Sequence, residues 1–240
     1  MSQVWGIIGL GWLGAEFANY LTEKNQKYWG THRSSFSWEK DFFPDEFCDV
    51  LLINVPPLKT LSPSDFVGKI PENSFKKIIF VSSISVYGDV SGEVTEATEP
   101  RPNSESGQWL YAVEQALQKR YSEKCVIVRA GGLIGGSRHP VFQIAGRGLV
   151  QHGLAPVNLI HREDLIRIIY DLGEGTTVVP RVNAVTPFHP SKESYYSIMA
   201  AKWGLPPIKF EQSGGDGKIV SSEVLSHLYP EWICAKLDRL

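Results

Sequence analysis

Cysteine is scarce in this chain, with 3 in 240 residues, at Cys48, Cys125 and Cys234. Their odd number and wide separation exclude a disulfide framework and fit reduced thiols. None has a Cys or His partner at ligand spacing, so no metal site is expected. Positive charge is not in excess either: 24 Lys and Arg stand against 26 Asp and Glu, a net charge of −2. Such a chain presents no basic field to a nucleic acid. No apolar run approaches the roughly 20 residues that span a bilayer. No basic segment precedes an apolar stretch at the N-terminus, so no secretion leader is expected. The expectation is a cytoplasmic, soluble protein whose partners include neither nucleic acid nor membrane. Internal repeats and low-complexity segments are absent. What remains is ordinary globular composition, 42% hydrophobic and 21% charged. It suffices for one large α/β domain or a domain with a smaller lobe.

The most informative stretch is Gly9-Leu10-Gly11-Trp12-Leu13-Gly14. Before it Val4-Trp5-Gly6-Ile7-Ile8 reads as a buried strand, and after it Phe17, Ala18 and Leu21 share one helical face. Strand, glycine turn and helix together make a dinucleotide fingerprint. Gly9 permits the tight turn, Gly11 lets backbone approach a pyrophosphate, and Gly14 lets helix pack on strand. The helix start, with Trp12 and Leu13 in its first turn, offers N–H groups and a positive dipole end to the anion. A glycine turn that binds nothing is the competing reading, and its flanks argue against it.

A short strand is expected at Gln26 to Gly30, and largely apolar strands at Asp49 to Val55, Lys77 to Val81 and Cys125 to Arg129. Helices are expected over Gly11–Lys24, Ser64–Ile70, Glu105–Ser122, Arg162–Leu172 and Ser191–Lys202. This alternation predicts an α/β fold, a Rossmann-type doubly wound parallel sheet covered on both faces. Little chain lies between Arg33 and Cys48, so the usual third unit of the first half must be abbreviated. Ala130 to Arg138 is a flexible, glycine-rich crossing just after a strand's carboxyl end, where ligands sit in such sheets. Ser213 to Gly217 reads as a turn between short strands of a small C-terminal α+β lobe that would hold substrate. The expected division is 1–132 with 157–186 for the dinucleotide domain, and 133–156 with 187–240 for the lobe.

NAD-binding versions of this fold place an acid about 20 residues beyond the glycines, on the ribose 2′-hydroxyl. Here that neighbourhood reads Gly30-Thr31-His32-Arg33-Ser34, without an acid. Arg33 can meet a 2′-phosphate with a charge-assisted fork, and Thr31, Ser34 or Ser35 can add hydrogen bonds. The expected cofactor is NADP rather than NAD; the alternative is that Arg33 is a solvated loop cation.

Further along, Phe80-Val81-Ser82-Ser83-Ile84-Ser85-Val86-Tyr87-Gly88 resembles the strand motif of the extended short-chain dehydrogenase/reductase superfamily, a Ser-Ser pair ahead of Val-Tyr-Gly. Leu52-Ile53-Asn54-Val55-Pro56-Pro57 resembles the strand end bordering the adenosine, and Thr95-Glu96 with Pro100-Arg101-Pro102 a loop of the same family. Val128 to Gly135 resembles the segment beside the nicotinamide, Ile160 to Leu165 the "I-H-x-x-D" helix start, and Val182 to Val185 the strand that follows. The resemblance spans essentially the whole chain. It implies that Asn54, Val55, Pro56, Ser82 and Gly131, with Thr31 and His32, line the cofactor. It also implies that Ser83 hydrogen-bonds the substrate oxygen, and that the protein is a monomer or a homodimer built on two helices.

The family's Tyr-x-x-x-Lys pair is missing. Aligning Glu114-Gln115-Ala116-Leu117 with the family's "E-x-A-L" puts Ser106 at the tyrosine and Leu110 at the lysine. Tyr111 has Gln115 four residues on, so a shifted register restores nothing. A phenol near pKa about 10 is a poor base at neutral pH without a nearby cation. The chain thus resembles the atypical, degenerate-site branch labelled NAD-dependent epimerase/dehydratase. Tyr111 is the candidate proton donor; Tyr87, or a water held by Ser106, are alternatives. Tyr87 and Tyr111 are otherwise each expected to pack with an exposed hydroxyl, Trp109 to be core, and Arg138 and His139 to lie in a solvated loop. His161 is expected to order the backbone before its helix, and Asp164 to satisfy N–H groups there. Two functions follow: an NADP-dependent enzyme acting on a small, possibly sugar-derived carbonyl or hydroxyl substrate, or a cofactor-binding sensor that has lost the catalytic pair.

Overall fold

The computed structural model describes residues 3–176, 179–229 and 231–238. In chain order its first elements are β1 (Val4–Ile8), α1 (Trp12–Glu23), β2 (Lys27–Thr31), β3 (Cys48–Ile53), α2 (Pro63–Gly68) and β4 (Phe75–Ser83). Then come β5 (Gly92–Val94), α3 (Glu105–Tyr121), β6 (Cys125–Ala130), β7 (Gly132–Ile134), α4 (Val141–Ile144) and β8 (Leu149–Val150). The remainder is β9 (Leu159–His161), α5 (Arg162–Glu174), β10 (Arg181–Ala184), α6 (Lys192–Lys202), β11 (Lys209–Phe210), β12 (Lys218–Val220) and α7 (Glu223–Leu228).

Six strands form a parallel sheet in the order β10-β6-β4-β3-β1-β2. The register sets Trp5 against Val50 on one side and Tyr28 on the other. Ile7, Ile8, Leu51, Leu52, Ile53, Ile78, Ile79 and Phe80 are all fully buried, the composition that a sheet covered on both faces demands. Strand order reverses at β1, which has β2 on one flank and β3 on the other, so a switch point lies at the carboxyl ends of β1 and β3. Residues 32–47 hold no helix, as the short spacing predicts. Instead Trp38 lies on Phe66 with ring centroids 4.1 Å apart and meets Phe36 and Phe43. Helix α5 ends where Lys77 Nζ reaches the carbonyls of Leu172 (2.7 Å), Gly173 (3.0 Å) and Gly175 (2.5 Å). A cation there answers both the orphan carbonyls and the negative dipole end.

Contacts divide the chain into two compact units. The first comprises the described parts of Met1–Val86, Pro102–Arg129 and Ile166–Val182; the second those of Tyr87–Arg101, Ala130–Leu165 and Asn183–Leu240. Relative to the expected ranges, the second unit also takes in Tyr87–Arg101 and the segments 130–132, 157–165 and 183–186. Its strands pair in parallel twos: β12 with β5, β11 with β8, and β7 with β9. The expected turn at 213–217 separates β11 from β12, closed by Gly217 N–H to the Gly214 carbonyl. The glycine-rich crossing is less loose than its composition implies, because Gly132–Ile134 is strand β7. Among the described residues no helix is long and apolar enough to cross a membrane. Burial pushes the Cys48 and Cys125 thiols up to about 12.

His139 is not in a solvated loop; it is buried in the core of the second unit. Its Nδ1 accepts the Val141 N–H (3.1 Å), so the proton sits on Nε2, which donates to Tyr195 Oη (2.9 Å). Tyr195 in turn donates to the Leu237 carbonyl (3.0 Å). Burial lowers the His139 pKa to about 4. The unfolded chain takes up this proton below its ordinary value of about 6.5. The stability tied to neutral His139 is therefore complete above about pH 6.5 and declines as pH falls toward 4. We expect wild-type protein to lose about 2 to 3 kcal/mol more than His139→Gln between pH 7 and 4.5, read from urea midpoints. Parallel pH curves for the two proteins would contradict this assignment.

Candidate functional site

The β1–α1 turn is built on close backbone approach. Gly9 has φ +108, and a Cβ there would stand 2.3 Å from the Asn54 carbonyl oxygen. A Cβ on Gly14 would stand 2.1 Å from the Gly9 carbonyl oxygen. Two of the three glycines are thus required by packing alone. Gly11 is different: a Cβ there meets nothing within 4 Å, so the fold itself does not demand glycine at this position. Gly11 is also the N-cap of α1, with no side-chain cap and no acidic residue in the first turn. Helices α2, α3 and α6 are each capped by a serine hydroxyl, from Ser62, Ser104 and Ser191. The start of α1 thus keeps its positive end exposed beside an open space, which suits an anion. Trp12 is half-buried there, while Leu13 lies in the core.

Main-chain bonds gather the neighbouring strand ends around this turn. Asn54 N–H donates to the Ile8 carbonyl (2.9 Å), and Leu10 N–H to the Thr31 carbonyl (2.8 Å). Asn54 and Val55 are partly exposed and Pro56 is exposed. Beyond Thr31, the residues His32, Arg33, Ser34 and Ser35 are exposed, and Ser35 Oγ accepts the His32 N–H (3.3 Å). Arg33 forms no ion pair among the described residues.

At the end of β4 the two serines part company. Ser82 is buried, and its hydroxyl donates to Glu114 Oε1 at 2.5 Å; any ligand contact it makes runs through its main chain. Ser83 is partly exposed, and its Oγ accepts the Ser85 N–H (3.1 Å), which leaves the hydroxyl proton to donate. On α3, Ser106 is exposed, Leu110 is 6% exposed and Tyr111 is half-buried. Trp109 is half-buried, its indole N–H donating to the Leu61 carbonyl (2.9 Å) and its ring edge-on to Phe66. The sequence reading missed Glu114 and Arg129, which form a buried ion pair at 2.6 Å. Arg129 closing the apolar run Cys125-Val126-Ile127-Val128 was the available signal, since a fully buried charge needs a partner.

Within the second unit, Gly131 is buried. Its N–H donates to the Ala184 carbonyl (2.9 Å), and a Cβ there would stand 2.9 Å from the Asn158 carbonyl oxygen. The Tyr87 hydroxyl is not exposed: it lies 2.7 Å from Asn183 Oδ1 and 3.1 Å from the Thr95 carbonyl. His161 Nδ1 accepts the Glu163 N–H (3.3 Å), ordering the start of α5. Asp164 accepts from Ile233 N–H (2.6 Å), Cys234 N–H (3.0 Å) and the Tyr229 hydroxyl (3.2 Å), so it ties the C-terminal segment rather than its own helix. Arg138 is exposed.

No family model matches the chain. Among solved structures, UDP-glucuronic acid 4-epimerase from Bacillus cereus in complex with NAD superposes with a TM-score of 0.77. The identity is 15%, over 97% of this chain and 93% of that one. Human epimerase family protein SDR39U1 with NADPH gives a TM-score of 0.72 at 14% identity, over 97% and 96%. The chain thus shares the Rossmann fold of these two proteins, which were solved with NAD and NADPH. Protein YeeZ of Escherichia coli (strain K12) is 31% identical over 272 residues, covering 97% of this chain and 98% of that protein. The chain belongs to the YeeZ family, whose name states no activity.

The glycine geometry separates packing from binding. Gly14→Ala should cost about 3 kcal/mol through overlap with the Gly9 carbonyl. Gly11→Ala should cost about 1 kcal/mol or less in stability yet weaken dinucleotide affinity about tenfold or more. Thermal melts paired with NADPH fluorescence titrations check both; unaltered affinity in Gly11→Ala would contradict a diphosphate at this turn.

Proposed function

We propose that this protein is an NADP-dependent oxidoreductase or epimerase/dehydratase-like enzyme acting on a small carbonyl or hydroxyl substrate, sugar-derived compounds being the first to try. The observation that carries the reading is Gly11, a glycine without a packing reason, at the uncapped start of α1. Main-chain N–H groups of this turn would hold the diphosphate. Arg33, with Thr31, His32 and Ser35 beside it, would hold a 2′-phosphate, and Asn54, Val55 and Pro56 would border the nucleoside. When bound, the nicotinamide supplies or accepts hydride. Ser83 then donates its remaining proton as a hydrogen bond to the substrate oxygen, polarising the carbon–oxygen bond.

A second reading, a non-catalytic NADP sensor, is favoured by Leu110, a buried leucine at the position that the family resemblance assigns to lysine. NADPH and NADH titrations separate the cofactors. Arg33→Ala should weaken NADPH about 10- to 100-fold, the worth of a charge-assisted fork, and leave NADH unchanged. Equal wild-type affinities would end the NADP assignment. Turnover is then followed by NADPH absorbance against a panel of carbonyl compounds and nucleotide sugars. Ser83→Ala should lower kcat/KM about 100-fold or more. Retained turnover in that variant removes Ser83 from its role, and tight binding without any turnover favours the sensor.

A further inference from the structure

Glu114, Arg129 and Ser82 form a buried polar cluster inside the first unit, at most 4% exposed each. Arg129 Nη2 donates to Glu114 Oε2 (2.6 Å), and Nε lies 3.1 and 3.2 Å from the two carboxylate oxygens. Ser82 donates the fourth bond, at 2.5 Å, to Oε1. Stability alone does not account for such a cluster, because well-packed apolar residues often do as well as a buried ion pair or better. What the pair adds is direction. Arg129 on β6 locks the Glu114 rotamer on α3, and Glu114 then holds the penultimate residue of β4. Helix α3 touches the same segment a second time: a Cβ on Gly107 would stand 3.0 Å from the Ser85 carbonyl oxygen. Between these two anchors lie Ser83 and its bond from the Ser85 N–H.

We propose that Glu114 and Arg129 are positioning residues that act through Ser82 to hold the Ser83 hydroxyl with its acceptor side on the Ser85 N–H and its proton free to donate. The proposal rests on the reading above only in taking Ser83 as the acting group. Its test needs no ligand, so it fails or succeeds apart from cofactor binding. The Ser85 amide is the reporter, since its partner is Ser83 Oγ, and Ser83→Ala calibrates its full release in hydrogen exchange read by NMR. Ser82→Ala keeps the ion pair and removes only the link. In that variant the Ser85 amide should exchange about tenfold faster while the core amides of β1 and β3 stay within about twofold of wild type. Ser82→Thr, which keeps a hydroxyl, should restore the wild-type rate, and Glu114→Gln should lie between, its neutral oxygen being the weaker acceptor. If a turnover assay is in hand, Ser82→Ala should lower kcat with KM unchanged. An unaltered Ser85 amide in Ser82→Ala, acceleration spread evenly over all amides, or failure of that variant to fold would each overturn the proposal and leave the cluster a stability element.

Discussion

The contact between the β1–α1 turn and the end of β3 governs the rest of this molecule. Gly9 lies against the Asn54 carbonyl, Gly14 lies against Gly9, and neither approach tolerates a side chain. Because these contacts are backbone on backbone, no flexible side chain can give way between the turn and the strand end. The helix start is thereby held at the switch point of the sheet with no residue of its own to cap it. Removing the close approach would move α1 and, with it, a helix start that no side chain caps.

Much of this arrangement was legible in the residues. Apolar runs such as Asp49 to Val55 mark strands because a sheet buried on both faces leaves no room for alternation. The helices expected over Glu105–Ser122 and Ser191–Lys202 are α3 and α6, and the structure shows Ser104 and Ser191 capping their starts. The glycine fingerprint marked the turn and already set Gly9 and Gly14, for turn and packing, apart from Gly11, for a ligand; the structure supplies the distances behind that distinction.

What the residues concealed was polar chemistry in the interior. His139 follows a glycine-rich stretch and reads as exposed, yet Val141 N–H and Tyr195 satisfy both ring nitrogens and allow full burial. Tyr87 hides its hydroxyl through Asn183, a partner nearly a hundred positions away in sequence. Ser82 looks equivalent to Ser83, but adjacent residues of a strand face opposite ways, and only Ser82 faces Glu114. Each surprise is a hydrogen bond made over long sequence separation, which periodicity and local propensity do not encode. The aromatic packing of residues 36–43 escaped for a related reason, since irregular backbone carries no repeat from which a face could be inferred.

Charge is handled by the same logic throughout. Lys77 donates to carbonyls at the end of α5, Asp164 accepts from main-chain amides of the C-terminal segment, and Glu114 accepts from Arg129 and Ser82. The open start of α1 carries no side-chain cap, and Arg33 beyond β2 forms no ion pair among the described residues. The most direct measurement is a crystal structure grown with NADPH. The account predicts the diphosphate against the main-chain N–H groups at Gly11 to Leu13, with the 2′-phosphate at Arg33. A dinucleotide lying elsewhere, or crystals that exclude it at saturating concentration, would contradict it.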